Sequence, residues 1–153
     1  MAHRVHEKLG ATVICASNAL EDEGIYKKVL ADMDRNAIRW CVRKLNLSSF
    51  ELNLVGVSDG ANHCLSLARI APTKKLLCIN PSFVPGHDPS DRLIIRSKVK
   101  KIFVYGTKDV EGHKLVPQLI KREIPNFEIR WVEGADHEFT GMVDEFVDLI
   151  DLV

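Results

Sequence analysis

The chain has 153 residues, of which 46% are hydrophobic and 27% are charged, and this ordinary globular composition predicts one domain over residues 1–153. Lysine and arginine together number 21, and so do aspartate and glutamate, so the formal charge is zero. The basic excess that nucleic-acid binding requires is therefore absent. No apolar run is long enough to cross a membrane, and residues 1–8 lack the apolar stretch of a signal peptide, so we expect a cytoplasmic protein.

The cysteines favour neither a metal centre nor a redox centre. Cys15, Cys41, Cys64 and Cys78 form no C-x-x-C pair, which is the spacing that zinc sites and thioredoxin-like sites use. We therefore expect reduced thiols that pack as small hydrophobic side chains, and no metal or other cofactor.

Short apolar runs alternate with helical patterns along the chain. The runs predict strands at residues 11–16, 52–57, 76–80, 101–105 and 127–132. The helical patterns predict helices at about residues 26–45, 59–70, 113–122 and 139–152. Strands that alternate with helices indicate right-handed crossovers between parallel strands. The expected fold is a three-layer α/β/α architecture with a mostly parallel sheet of about five strands.

A G-x-S-x-G pattern at residues 56–60 places Ser58 between the second predicted strand and the following helix. A serine on such a turn stands exposed above the sheet, as the nucleophile of an acyl hydrolase must. The pattern is short enough to arise by chance, so its position between strand and helix carries the argument. The alternative is a glycine-rich turn in which Ser58 only caps the helix.

Candidate partners for Ser58 follow the later strands, at the carboxyl edge where open α/β sheets carry their sites. Asp109 follows the fourth predicted strand and His137 the fifth, so the chain order is serine, acid, histidine. His137 would act as the general base, and Asp109 would orient it. Asp136 and Glu111 are alternative acids of lower rank. Taken singly, Asp109 also fits a solvated turn, and His137 also fits a helix start.

Three segments together resemble the motif blocks of the α/β-hydrolase superfamily. They are residues 56–60 (GVSDG), 105–109 (YGTKD) and 134–139 (GADHEF). The likeness is to small dienelactone-hydrolase-like or esterase-like members, and it runs from about residue 8 to the end of the chain. It implies a serine esterase with a catalytic triad that cleaves small carboxylic esters or thioesters through an acyl-enzyme on Ser58.

The resemblance also implies missing parts. The superfamily usually has eight strands, so a chain with five looks N-terminally shortened, like a minimal core. The loop after the usual third strand normally supplies one oxyanion N–H, and the residue after the nucleophile, here Asp59, supplies the other. We expect the backbone N–H of Asn18 to replace the lost donor, provided that the first strand lies beside the second. The carboxylate of Asp59 would oppose an oxyanion unless it points outward, where the helix dipole favours it.

The Pro-rich stretch at residues 81–97 is either a small lid over the site or a plain surface connection. As a lid, it would use Phe83 and Val84 to line an acyl pocket. Without the early elements one face of the sheet is poorly covered, so we expect a homodimer.

The leading interpretation is a hydrolase acting on a small-molecule acyl substrate. The second is a catalytically degenerate relative that serves as a binding or interaction module, which the short N-terminus and Asp59 favour. The third, a flavodoxin-like nucleotide or phosphate binder, ranks last because residues 17–22 are acidic where phosphate would need a glycine-rich or hydroxyl-rich loop.

Overall fold

The computed structural model describes residue 7 and residues 35–68, 71–81 and 97–152. The chain divides into two compact units, residues 1–50 and residues 51–153. In the first unit, residues 35–44 form helix α1, within the range of the first predicted helix. The predicted strand at residues 11–16 lies outside the described residues.

Among the described residues of the second unit, four parallel strands form a sheet in the order β1-β2-β3-β4, and they are Leu52–Val57, Thr73–Ile79, Lys100–Gly106 and Phe127–Val132. The ranges of β1 and β4 match the prediction, whereas β2 and β3 begin before the predicted runs. Val57 is in register with Ile79, which is in register with Val104, and Gly106 is in register with Val132. The carboxyl ends of the strands therefore lie along one edge of the sheet.

Two helices cover one face of this sheet. Helix α2 (Asp59–Leu67) follows β1, and helix α3 (Val110–Ile120) follows β3. A Cβ atom added to Gly56 would collide with the backbone of α2, and one added to Gly112 would meet the ring of Tyr105 at 2.6 Å. Gly56 and Tyr105 point to the same face because side chains alternate along each strand and the strands are in register.

The other face is covered by helix α4 (Val143–Asp148) and a 3-10 turn at Leu149–Leu152. Here the strand residues Leu77, Ile79, Ile102 and Val104 form one buried cluster with Ala135, Phe139 and Phe146. The expected three-layer α/β/α architecture is confirmed, because apolar residues of the central strands are buried on both faces.

Two helices differ from prediction at their first residue. The last helix was predicted from residue 139, but Phe139 has φ +54° and Gly141 has φ +74°, and left-handed residues interrupt a right-handed helix. Helix α4 therefore begins at Val143. Helix α3 begins at Val110, earlier than predicted, because the side chain of Asp109 caps it by accepting the N–H of Glu111.

Lys101 is a buried cation at the amino end of β3, with only 1% of its surface exposed. Its ammonium group donates to the carbonyl oxygens of Ser97, Val99 and Pro125 at 2.8, 2.7 and 3.1 Å. Desolvation by burial lowers the pKa of Lys101 to about 8. The ammonium group thus ties together the turns that precede β3 and β4.

Cys41, Cys64 and Cys78 are not in disulfide bonds, and burial raises the pKa of Cys78. Within the described ranges, no group of three or more histidine, cysteine or acidic side chains could hold a metal ion. No helix in that part of the chain has the length and apolar character needed to span a membrane.

Candidate active site

Ser58 occupies a sharp turn between β1 and α2. Its φ is +50°, a conformation that is uncommon outside glycine, and its N–H donates to the carbonyl of Ile79 at 2.9 Å. Gly56 makes the turn possible, because a Cβ atom there would overlap the carbonyl oxygen of Gly60. At Gly60 itself, a Cβ atom would meet no neighbour among the described residues. Only the first glycine of the pattern is therefore required for close approach of the strand and helix.

Asp109 lies in the loop after β3 and is 3% exposed. Each of its carboxylate oxygens accepts a different hydrogen bond. Oδ1 accepts the N–H of Glu111 at 3.1 Å, and Oδ2 accepts Nδ1–H of His137 at 3.2 Å. The bond that caps α3 therefore also fixes the orientation of the carboxylate toward the histidine.

His137 lies in the loop after β4, and its ring bridges the other two side chains. The hydroxyl of Ser58 lies 3.0 Å from Nε2, on the opposite side of the ring from Asp109. Because a buried carboxylate can only accept, the proton of a neutral ring resides on Nδ1, and Nε2 is left free to accept from Ser58. The structure thus joins Ser58, His137 and Asp109 in one chain of hydrogen bonds.

The loop that carries Asp109 and the loop that carries His137 are bound directly to each other. The N–H of Lys108 donates to the carbonyl of Ala135 at 2.9 Å, and the hydroxyl of Thr107 accepts the N–H of Gly134 at 2.8 Å. The loops approach so closely that a Cβ atom on Gly106 would collide with the carbonyl of Ala135. The positions of Asp109 and His137 are therefore fixed by hydrogen bonds between their two loops as well as by the hydrogen bond between their side chains.

No protein-family model matches the chain, and no curated protein matches it. Among solved structures, an α/β serine hydrolase homologue from Coxiella burnetii is similar, with a TM-score of 0.65 and 19% identity over 90% of this chain. A protein of unknown function from Agrobacterium tumefaciens, described as a candidate α/β hydrolase, has a TM-score of 0.66 and 24% identity over 97% of this chain. The chain has an α/β-hydrolase fold. It spans 62% of the length of the Coxiella protein and 71% of the Agrobacterium protein, and at these identities the likeness concerns the fold alone.

Proteins with an α/β-hydrolase fold carry their nucleophile, acid and histidine in that chain order, which is the order of Ser58, Asp109 and His137. The alternative acids do not contact the histidine ring through any described hydrogen bond. Asp136 accepts the N–H groups of Glu138 and Thr140 at 3.1 and 2.9 Å. The bonds from Thr140 are the main reason that the pKa of Asp136 is lowered. Glu111 instead pairs with Lys114 on the surface of α3.

Asn80 is a polar residue at this edge that the sequence analysis missed. It follows β2, between the strands that lead to Ser58 and Asp109, and it is fully buried. Its side chain bonds both to Gly106, the last residue of β3 before the loop of Asp109, and to the loop of His137. A polar residue directly after an apolar strand is a signal that would have found it, because the carboxyl ends of neighbouring strands meet at one edge.

Three aromatic rings pack together near the loop that carries Asp109. The ring of Tyr105 packs against Trp131 at 5.7 Å between centroids, and Trp131 stacks on His113 at 4.8 Å. Burial raises the pKa of Tyr105, and the charge of Asp109 raises it further. Since Nε2 of His113 lies 2.8 Å from the carbonyl of Thr107, that nitrogen carries the proton. The stack supports the loop that carries Asp109.

Of the remaining predicted site residues, only Asp59 lies in the described part of the chain. It is the first residue of α2, and its side chain is exposed. Asn18, Phe83 and Val84 lie outside the described residues.

Proposed function

We propose that the protein is a serine hydrolase that cleaves small carboxylic esters or thioesters through an acyl-enzyme on Ser58. The observation that carries the proposal is the continuous hydrogen-bond chain from Ser58 through His137 to Asp109, with distances of 3.0 and 3.2 Å. A nucleophile, a base in contact with it and an acid that orients the base are the parts that nucleophilic acyl transfer needs.

In the first half-reaction, Oγ of Ser58 attacks the acyl carbon while Nε2 of His137 takes the hydroxyl proton. The imidazolium ion that forms is stabilised by the buried carboxylate of Asp109. When the tetrahedral intermediate collapses, Nε2 returns the proton to the departing alcohol or thiol. Water then attacks the acyl-enzyme with His137 again as the base, and Ser58 is released.

The oxyanion of the tetrahedral intermediate needs hydrogen-bond donors beside Ser58. The N–H of Asp59 is one donor, because it belongs to the residue after the nucleophile at the start of α2. The N–H of Asn18 is the second in this proposal. One such donor is worth about 10² to 10³ in kcat, so a variant without it would be a much slower enzyme.

The substrate is a small acyl compound held in part by Phe83 and Val84, and the mechanism requires no metal or other cofactor.

We also propose that the protein works in the cytoplasm as a homodimer. The exposure of Val55 and Val57 on β1, at 37% and 39%, supports an apolar contact on the sheet face that they share with Leu77 and Ile79. A monomeric mass in solution at micromolar concentration would contradict the dimer.

The test of the hydrolase is the intact mass of the protein after incubation with a fluorophosphonate, which reacts only with an activated serine. We expect one adduct on the native protein and none on Ser58→Ala. The matched control is Ser48→Ala, which removes an exposed serine from a turn and should be labelled like the native protein. No adduct on the native protein would contradict the hydrolase and favour the alternative interpretation, a binding module built on the same fold.

A further inference from the structure

We propose that Asn80 is a positioning residue that sets the placement of the His137 ring between Ser58 and Asp109. The inference rests on the proposed function for its effect on catalysis. The structural part of the inference is independent of that function. It states that the amide of Asn80 holds the loop of His137 (the histidine loop) close to the end of β3 that leads to Asp109.

Three hydrogen bonds of the Asn80 side chain carry the argument. Nδ2 donates to the carbonyl of His137 at 2.7 Å and to the carbonyl of Asp136 at 3.1 Å. Oδ1 accepts the N–H of Gly106 at 3.0 Å. Gly106 is the last residue of β3 and directly precedes the loop of Asp109, so a single side chain links the start of that loop to the loop of His137. The separation of these two loops determines the bond between Asp109 and His137.

The identity of the residue follows from this set of partners. Two carbonyls and one N–H demand two donors and one acceptor on a short planar group, which only an asparagine side chain supplies at this length. The backbone of Asn80 has φ +42°, and asparagine tolerates the left-handed region better than most residues. The partners also fix which end of the amide is oxygen, because Gly106 can only donate here.

The histidine loop is held from two sides. Its carbonyls are bound by Asn80, while the carboxylate of Asp136 binds the N–H groups of Glu138 and Thr140 farther along. The bond to the carbonyl of His137 belongs to the residue that must reach Ser58, so its loss acts directly on the ring. A misplacement of a reacting group by about 1 Å can cost about 100-fold in rate.

The decisive variant is Asn80→Asp, which keeps the acceptor for Gly106 but replaces both donors by an oxygen that faces two carbonyls. The matched control is Asn126→Asp. Asn126 also has a positive φ, of +51°, and its Nδ2 also donates to a backbone carbonyl, that of Lys98 at 2.8 Å. It precedes β4, at the opposite edge of the sheet from the site. Should Asn80→Asp not fold, Asn80→Gly accepts the backbone conformation and removes the same donors.

Two measurements are made on each folded variant. The first is the proton signal of Nδ1–H of His137 in an NMR spectrum, assigned by its absence from His137→Gln. The second is a pair of kinetic constants, kcat and KM, for a small ester, together with the rate of fluorophosphonate labelling. We expect the Asn80 variants to shift or lose the Nδ1–H signal and to lower kcat and the labelling rate by about 10- to 100-fold with KM little changed. Asn126→Asp should resemble the native protein.

The outcomes separate the two proposals. An Nδ1–H signal at the native position in the Asn80 variants would overturn the positioning role, and so would a native kcat. A merely structural role would lower the unfolding midpoint and leave the signal and kcat in place, as we expect for Asn126→Asp. A native protein that fluorophosphonate does not label would overturn the hydrolase, while the NMR comparison would still decide whether Asn80 positions His137.

Discussion

Replacing Asp109 by asparagine tests the site most sharply, because both carboxylate oxygens of Asp109 accept hydrogen bonds. An amide has one acceptor and one donor group, so Asp109→Asn cannot satisfy both Glu111 and His137. If the amide oxygen keeps the helix cap, the NH₂ group faces Nδ1 of His137 and forces the proton to Nε2. A ring in that tautomer cannot take the proton of Ser58.

The expected loss can be worked from the distance. Opposite unit charges 3.2 Å apart attract by about 5 kcal/mol at an effective dielectric constant of about 20, a value that suits a pair in which Asp109 is 3% exposed and the His137 side chain 31% exposed. That energy is lost from the transition state, in which His137 is charged, and it corresponds to about three to four powers of ten in kcat. The same substitution in a Ser-His-Asp protease costs about 10⁴.

The assay is kcat for a small activated ester, with the fluorophosphonate labelling rate as a second readout. Glu111→Gln is the matched control, since it converts a nearby acid whose carboxylate pairs with Lys114 on the surface of α3, and it should stay within about twofold of the native rate. Asp109→Asn with more than one tenth of the native kcat would refute the assignment of Asp109 as the orienting acid. Asp136 would then be the next candidate for the orienting acid.

Two further predictions concern stability. Because the pKa of Lys101 is about 8 in the folded protein against 10.5 when unfolded, the native state binds fewer protons at this group than the unfolded state does above pH 8, and the group should raise the free energy of unfolding between pH 8 and 10.5. The expected contribution is about 1–3 kcal/mol, the lower figure allowing for screening by water, and urea titrations at pH 7.5 and 10 would measure it as the difference between the native protein and Lys101→Met. The difference is needed because burial raises the pKa of Cys78, and this lowers the free energy of unfolding of both proteins over the same range. Lys101→Met should show no such rise, and an equal rise in that variant would contradict the assignment. Gly106→Ala should lower the free energy of unfolding by at least about 2 kcal/mol, because the added methyl group meets the backbone of Ala135. Gly60→Ala, where the space among the described residues is open, should be neutral or slightly stabilising, and equal effects of the two substitutions would show that the close approach at Gly106 is wrong.

Much of the strand pattern was predictable from the sequence, and the reason is burial on both faces. A central strand such as β3 reads as a continuous apolar run, so its position could be found without knowledge of its neighbours. The placement of candidate site residues followed from the same pattern, since Ser58, Asp109 and His137 each come after a strand. That they meet was an expectation from topology, and the distances among them required the structure.

The features that the sequence did not predict depend on contacts between loops. Phe139 looked like the first residue of a helix because it is apolar and lies in a helical period, but its left-handed backbone and its burial against Phe146 are set by tertiary packing. Lys101 was predicted only as the first residue of a strand, and only the folded turns bring three carbonyls to its ammonium group. Asn80 looked like the end of a strand, since nothing near it in sequence indicates that it bonds to residues 26, 56 and 57 positions away.

The geometry of the site is set by the sheet more than by the loops. The turn residues Ser58, Asn80 and Thr107 each donate their N–H to a carbonyl of the next strand, at 2.9, 2.8 and 3.0 Å. Each turn thus extends the parallel ladder by one more bond, so its backbone cannot move independently of the strand register. The separation between these turn residues is therefore set by the distance between neighbouring strands, which is about 4.8 Å. The proposed nucleophile Ser58 and the proposed positioning residue Asn80 follow adjacent strands, so both are held in place before a substrate binds. His137 lies farther from its strand, in a longer loop, so we expect its position to depend on the hydrogen bonds that the side chain of Asn80 donates to this loop.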